Sequence, residues 1–219
     1  MLPRVLEPEA MDSTLEAHDY DTMDHSAVNR VFVADFLSIW PGQGPILDVG
    51  TGTAQIPIEL CRAVPWARVV GVDLSAAMLA VGRENARRAG LSDRLRLERC
   101  DAKSLPFAEG EFGAVISNSI AHHLPRPAEV LAEMVRVLRP GGVLLVRDLI
   151  RPADEPTLHQ LVQTYFGGAN EHQRRMFADS LHAALTLSEI QDLVASLGFD
   201  PEHVRQTTDR HWTWQTIRL

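Results

Sequence analysis

Seven consecutive residues, Asp48-Val49-Gly50-Thr51-Gly52-Thr53-Ala54, join a short apolar run to a helical pattern, and this junction is well suited to holding a ligand. Glycine takes tight turns and lets a ligand approach the backbone with no Cβ in the way. A helix that opens at such a turn offers free N–H groups and the positive end of its dipole. A G-x-G pair alone is a weak signal; its place after a buried strand makes it stronger. The dinucleotide fingerprint G-x-G-x-x-G needs glycine at position 55, which is Gln55. A pyrophosphate would meet the wrong surface. Asp73 stands twenty-three residues beyond Gly50, at the end of the next apolar run. A carboxylate there accepts hydrogen bonds from both hydroxyls of a ribose. Asp101-Ala102 follows a third run, at the height of a base. Three strand ends thus offer a turn, a ribose acceptor and a base-reading acid.

A second group of chemically able residues follows the fourth run, in Ser119-Ile120-Ala121-His122-His123-Leu124-Pro125. A histidine of ordinary pKa serves as a base near neutral pH, so His122 and His123 are the catalytic candidates. The alternative is that they pack or cap. Asp148 and Arg151, past the fifth run, either orient an acceptor or form a surface ion pair. No metal site is expected: residues 19–25 show no recognisable ligand spacing. Cys61 and Cys100 read as free thiols, since no partner spacing supports a disulfide or a metal pair.

The elements that must position these residues alternate. Strands are expected at Ile46–Val49, 68–72, Leu95–Arg99, 113–117 and 143–146. Helices are expected at 56–64, 75–89 and 128–138, the last ended by Pro140-Gly141-Gly142. Such alternation means βαβ units and a parallel sheet, with right-handed crossovers placing helices on both faces. Residues 1–40 precede the rhythm and carry a helical pattern around 28–39. Residues 151–185 are rich in Arg, His and aromatics, a helix follows at 187–197 with Gly198 as its stop, and 204–219 suit an antiparallel strand pair.

The 219 residues fit one α/β domain, and 45% hydrophobic with 23% charged residues is ordinary for a chain that buries a core. A formal net charge of −8 argues against a nucleic-acid surface, which draws affinity from clustered Lys and Arg. Residues 1–11 carry Arg4, Glu7, Glu9 and two prolines, unlike a signal peptide. No apolar run approaches the ~20 residues of a membrane span. A cytoplasmic location is the expectation; a homodimer is left open.

Taken in order, the motifs resemble those of class I S-adenosylmethionine-dependent methyltransferases, in the small-molecule branch that includes the ubiquinone and menaquinone methyltransferases. Ile46-Leu47-Asp48-Val49-Gly50-Thr51-Gly52 is similar to the first motif, Val70-Gly71-Val72-Asp73-Leu74-Ser75 to the second, and Asp101-Ala102 to the third. Ile116-Ser117-Asn118-Ser119 occupies the fourth, and Leu138-Arg139-Pro140-Gly141-Gly142 the loop before the fifth strand. The resemblance spans roughly residues 45–149. The third glycine of the family loop is here Ala54, small enough to be tolerated.

This resemblance implies a Rossmann-like, doubly wound, seven-stranded, mostly parallel sheet with an antiparallel C-terminal strand and helices on both faces. It implies a single domain over 1–219: N-terminal cap helices at 1–44, a cofactor-binding core at 45–149, a lid-like insertion at 150–185 and a final helix and strands at 186–219. S-adenosylmethionine is the implied cofactor and S-adenosylhomocysteine the product. Gly50, Thr51 and Gly52 would pack on its methionine part, with Asp48 holding that loop or the amino group. Asp73 would bind the ribose, Leu74 and Met78 the adenine face, Asp101 the exocyclic amine and Ala102 a ring nitrogen. Asn118 would begin the segment beside the methyl group, and Tyr20 and Met23 would close over the cofactor. Tyr165 and neighbouring aromatic and arginine residues of the insertion, with Arg210, His211, Trp212 and Trp214 of the tail, would shape a pocket for a small-molecule acceptor. In-line methyl transfer asks for alignment and dehydration, and for a base only when the acceptor atom must lose a proton. The non-enzyme alternative is a cofactor-sensing regulator without turnover.

Overall fold

The computed structural model describes residues 2–7 and 13–219; residues 8–12, part of the stretch read as unlike a leader, lie outside the described residues. The chain divides into two compact units. One holds residues 13–118, Glu129–Leu145 and Thr216–Leu219; the other holds residues 2–7, Ser119–Ala128 and Val146–Gln215.

The first unit opens with α1 (Thr14–Thr22) and α2 (Ser26–Ile39), followed by β1 (Ile46–Val49), α3 (Gln55–Ala63), β2 (Val69–Asp73), α4 (Ala76–Arg88), β3 (Leu95–Arg99) and β4 (Phe112–Asn118). After β4 come α5 (Pro127–Val137) and β5 (Leu138–Leu149). Strand β1 pairs in parallel with β2, Ile46 against Val69, and with β4, Ile46 against Ala114; β2 pairs in parallel with β3, Val69 against Leu95. The sheet has seven strands in the order β3-β2-β1-β4-β5-β7-β6. Strand order reverses between β1 and β4, and ligands of open α/β sheets bind at the carboxyl ends of the strands beside such a switch point.

Local chemistry explains the boundaries. Ser75 caps α4 by accepting the Met78 N–H, and Gly90, at φ +68°, ends it. Ser13 and Glu16 form a capping box at the start of α1. The apolar stripe of α2 (Phe32, Val33, Phe36) and Trp40 just past its end are buried with Ile58, Leu60 and Cys61 of α3 and with Ile46, Val69 and Leu95 of the strands. Each such large side chain stabilises the fold by about 1.5–3 kcal/mol.

The second unit contains α6 (Glu155–Phe166), α7 (Glu171–Ala183), α8 (Leu187–Ser196), β6 (Val204–Gln206) and β7 (His211–Ile217). The insertion is therefore a helix pair, with Leu158 and Leu161 of α6 packed with Leu181 and Ala184. The α8 helix starts in a Thr186–Glu189 capping box, and Gly198, at φ +83°, follows its end as expected. Strands β6 and β7 are antiparallel, Val204 against Trp214.

Strand β5 differs from expectation. It starts directly after α5, and Pro140-Gly141-Gly142 lies within it rather than in a loop. Gly141 donates to Arg218 O and Gly142 O accepts from Arg218 N, so pairing with the chain end keeps this segment extended, with Gly141 at φ +74°. Its far end also runs on past 146, which places Asp148 inside the strand.

Candidate active site

The carboxyl ends of β1, β2, β3 and β4 in the first unit carry Asp48, Asp73, Asp101 and Asn118. The glycine turn lies between Asp48 and α3 with Gly50 at φ +77° and Gly52 at φ +53°. Gly50 N and Thr51 N both donate to Val72 O at 2.9 Å, and Ala54 N donates to Thr51 O. Gly52 N donates to Asp73 Oδ2 at 2.8 Å. The N–H groups of Gly50, Thr51 and Gly52 thus fasten the turn to β2, and that of Ala54 closes it on itself. An anion cradle needs such donors unspent, so the bonding adds to Gln55 as a reason why the turn is a poor pyrophosphate site.

Asp73 is the hub of this arrangement. Its Oδ1 accepts the Ser75 N–H at 2.9 Å while its Oδ2 holds Gly52. Burial raises its pKa against the opposing pull of these backbone donors. A carboxylate offers about four lone-pair sites, so the backbone donors of Gly52, Ser75 and Leu74 still leave capacity for a hydroxyl donor.

Asp48 is fully buried, and burial, with the negative charge of Asp73 adding to it, pushes its carboxyl up to about 7. The fold thus favours protonated Asp48, whereas an unfolded chain ionises it near 3.8. Between these two values the native state holds the extra proton, so stability falls as pH rises from about 4 to about 7, by a few kcal/mol. Thermal melts across this range should show that slope in the wild type and a flatter one in Asp48→Asn. A cationic amino group bound beside Asp48 favours its ionised form. Affinity for such a ligand should therefore rise over the same interval, as read by titration calorimetry.

Tyr20, on α1, lies over the turn: a Cβ added at Gly52 would stand 3.9 Å from its Cε1. Burial and the nearby charges of Asp73, Asp48 and Asp21 push the Tyr20 hydroxyl up to about 12, so it stays protonated and able to donate. Gln55 has a role that the fingerprint comparison did not reveal. Its Nε2 donates to Asp21 O and Asp21 Oδ1, its Oε1 accepts from Asn29, and Asn85 joins Asp21 to Thr53 O. This network holds α1, and with it Tyr20, above the turn. Met78 is buried and Leu74 half-buried beside Asp73. Asp101 accepts the Lys103 N–H at 2.9 Å and pairs with its ammonium at 3.1 Å, contacts that outweigh partial burial and hold its carboxyl below the usual range. Ala102 is half-buried next to it.

The second unit gathers the other candidates. A 3₁₀ turn, Ala121–His123, follows Ser119, whose φ is +60°. His122 is 4% exposed; its Nδ1 lies 2.6 Å from Asp148 Oδ1, and its Nε2 lies 3.4 Å from Glu7 Oε1. Burial alone would lower its pKa, but the carboxylates of Asp148 and Glu7 raise it. His123 Nδ1 also lies 3.2 Å from Glu7 Oε1, and the two imidazole rings are 4.1 Å apart. Both His122 nitrogens thus face carboxylates, Asp148 at Nδ1 and Glu7 at Nε2, rather than an open acceptor space.

Asp148 and Arg151, read as orienting an acceptor or forming a surface ion pair, are both buried. Asp148 is buried and accepts from the backbone of Ala121, His122 and Leu149 as well as from His122. Arg151 is buried and donates to Ala184 O at 3.0 Å and Glu189 Oε1 at 2.6 Å. Asp148 thus ties β5 to the 3₁₀ turn, and Arg151 ties the start of the insertion to its end and to α8. Tyr165 is partly exposed, donates to Asp209 at 2.6 Å and carries the Arg210 guanidinium over its ring. Trp212 and Trp214 are fully buried and belong to the core rather than to a pocket wall. Glu7 and Arg4 escaped the sequence reading because no local pattern links residue 7 to residues 122 and 123. Arg4 donates to Ala183 O at 2.7 Å and to Leu124 O at 3.0 Å, which anchors the N-terminal segment here.

The family profile of the methyltransferase domain matches residues 47–146. A demethylmenaquinone methyltransferase of Porphyromonas gingivalis is 30% identical over 218 residues, covering 93% of this chain and 89% of that protein. A ubiquinone/menaquinone biosynthesis C-methyltransferase of Desulfotalea psychrophila is 33% identical, covering 78% of this chain and 74% of that one. Among solved structures, a SAM-dependent methyltransferase from Aquifex aeolicus superposes with a TM-score of 0.68 at 15% identity, covering 94% of this chain and 99% of that one, a likeness of fold. Among the described residues no helix is long and apolar enough to cross a membrane.

Proposed function

Since the chain belongs to the class I S-adenosylmethionine-dependent methyltransferases, we propose that its acceptor is a small hydroxylated ring of the reduced-quinone kind. That the Porphyromonas and Desulfotalea relatives are a demethylmenaquinone and a ubiquinone/menaquinone methyltransferase supports that class. The net charge of −8 supports a small molecule over a nucleic acid, and the cytoplasm is our working location.

The observation that carries the reading is the Asp73 carboxylate, bonded to Gly52 N and Ser75 N at the carboxyl end of β2. S-adenosylmethionine, when bound, supplies a methyl group on a sulfonium and leaves as S-adenosylhomocysteine. Asp73 would receive a ribose hydroxyl on its remaining lone pair. Asp48 would hold the amino group, Gly50, Thr51 and Gly52 would lie along the methionine part, and Leu74 and Met78 would pack on the adenine. Asp101 and the Ala102 N–H would read the base edge; Asn118 would border the methyl, and Tyr20 would cover the whole. These groups align the reactants and exclude water, which favours a transition state less charged than the reactants.

In this reading a phenolate of the acceptor makes its ring carbon the nucleophile, and the sulfonium C–S bond breaks as the ring C–C bond forms. The displaced ring proton passes to solvent after transfer, and His122 and His123 hold the 3₁₀ turn. A direct base would contribute about 10²–10⁴-fold. His123→Ala should therefore keep turnover within about tenfold of wild type in a single-turnover assay at saturating cofactor. A loss of 10²-fold or more at unchanged cofactor affinity would return His123 to the chemistry. The function itself is tested by incubating the protein with methyl-labelled cofactor and a panel of demethylated naphthoquinols and benzoquinols. Label should appear on the ring with an equal yield of S-adenosylhomocysteine. Cofactor binding with no labelled product across that panel would refute the acceptor class.

A further inference from the structure

We propose that Glu7, His122 and His123 form a binding site for one divalent transition-metal ion of the zinc type, which fastens the N-terminal segment to the 3₁₀ turn. Each of the three residues offers a ligand atom within 4.8 Å of the others, and Glu7 Oε1 faces both His122 Nε2 and His123 Nδ1. The two distances to the carboxylate oxygen, 3.4 and 3.2 Å, are those between neighbouring ligands of a tetrahedral ion. Metal–ligand bonds of about 2.0–2.1 Å give tetrahedral edges of about 3.3–3.4 Å.

The surroundings suit a metal in three ways. First, His122 Nδ1 is held by Asp148 at 2.6 Å, which leaves Nε2 as the ligating nitrogen; a carboxylate behind a ligating histidine is the usual outer support of a zinc site. Second, Ser180 Oγ donates to Glu7 Oε1 at 3.1 Å and fixes that carboxylate. Third, the charges balance. Asp148 and Glu7 carry two negative charges and Arg4, bonded to the turn's carbonyls, one positive charge, so a dication among neutral imidazoles leaves a small net charge. Three protein ligands leave a fourth position for water. Without an ion, one carboxylate oxygen faces two ring nitrogens, and His122 needs a second proton to avoid a lone-pair clash with Glu7. That doubly protonated histidine is the competing state.

Cobalt(II) separates the two, because a four-coordinate site gives it intense visible absorption that the aqueous ion lacks. Untagged full-length protein, stripped with chelator, would be titrated with cobalt(II) and then with zinc(II), alongside Glu7→Gln and His123→Ala. The expected result is a one-equivalent visible band displaced by zinc, weakened at least tenfold in affinity in both variants. Zinc should raise the melting temperature of the wild type and leave that of the variants unmoved, with circular dichroism confirming that both are folded. Absorption no stronger than that of the aqueous ion would overturn the site. Equal binding by all three proteins would also overturn it, by placing the ion on others of the nine histidines.

Discussion

Asp73→Ala should lower affinity for S-adenosylmethionine at least tenfold and also lower the melting temperature. Hydrogen bonds to a charged group contribute roughly 1.5–3 kcal/mol each, and 1.4 kcal/mol is a factor of ten. The side chain serves two structures at once. It restrains Gly52 through a 2.8 Å bond and Ser75, the cap of α4, through a 2.9 Å bond. Removing it loosens the turn at the end of β2 and leaves the N–H groups of Gly52, Ser75 and Leu74 to find water. The loss in binding should therefore contain a part from hydroxyl contacts and a part from a looser turn. Calorimetric titration with S-adenosylmethionine and with methionine separates them: the hydroxyl part disappears for the ligand without a ribose. Wild-type affinity for the cofactor in Asp73→Ala would remove this residue from the site.

Gly52→Val should abolish detectable cofactor binding while the protein stays folded. Gly52 has φ +53°, a region that costs an L-residue roughly 1–2 kcal/mol and is worse for a β-branched one. The space in front of it opens toward Tyr20 Cε1, 3.9 Å from where a Cβ would stand. Valine's methyl groups would occupy the gap between turn and ring that the ligand needs. The strain lies in a turn outside the core, so circular dichroism should stay close to wild type. Tight binding by folded Gly52→Val would mean that the turn serves only to join β1 to α3.

The gathering of the strand-end residues is legible in the sequence for a physical reason. Each of its residues stands at a fixed offset from an apolar strand, and the parallel pairing of β1, β2, β3 and β4 brings those offsets to one edge. Strand β3 falls at Leu95–Arg99 as its apolar alternation predicts, and Gly198 stops α8 where a positive φ is required. The length of β5 is not legible locally, because Pro140-Gly141-Gly142 is a turn signal unless Arg218, 76 or more residues away, supplies the pairing. The same holds for the histidines. Their short distances to Glu7 arise from a contact spanning more than a hundred residues, so the pattern H-H-L-P says only that two imidazoles are adjacent. Gln55 was legible as a departure from the dinucleotide fingerprint; its hold on Asp21 and Asn29 required the fold.

The central claim is that the strand-end acids and glycine turn of the first unit hold S-adenosylmethionine rather than a dinucleotide. Its most direct test is calorimetric titration of the wild-type protein with S-adenosylhomocysteine and, separately, with the oxidised nicotinamide dinucleotide. One-to-one binding of S-adenosylhomocysteine, strengthening between pH 5.5 and 7.5 as Asp48 ionises, with no heat from the dinucleotide, is the expected result. No binding of S-adenosylhomocysteine, or equal affinity for both ligands, would contradict it.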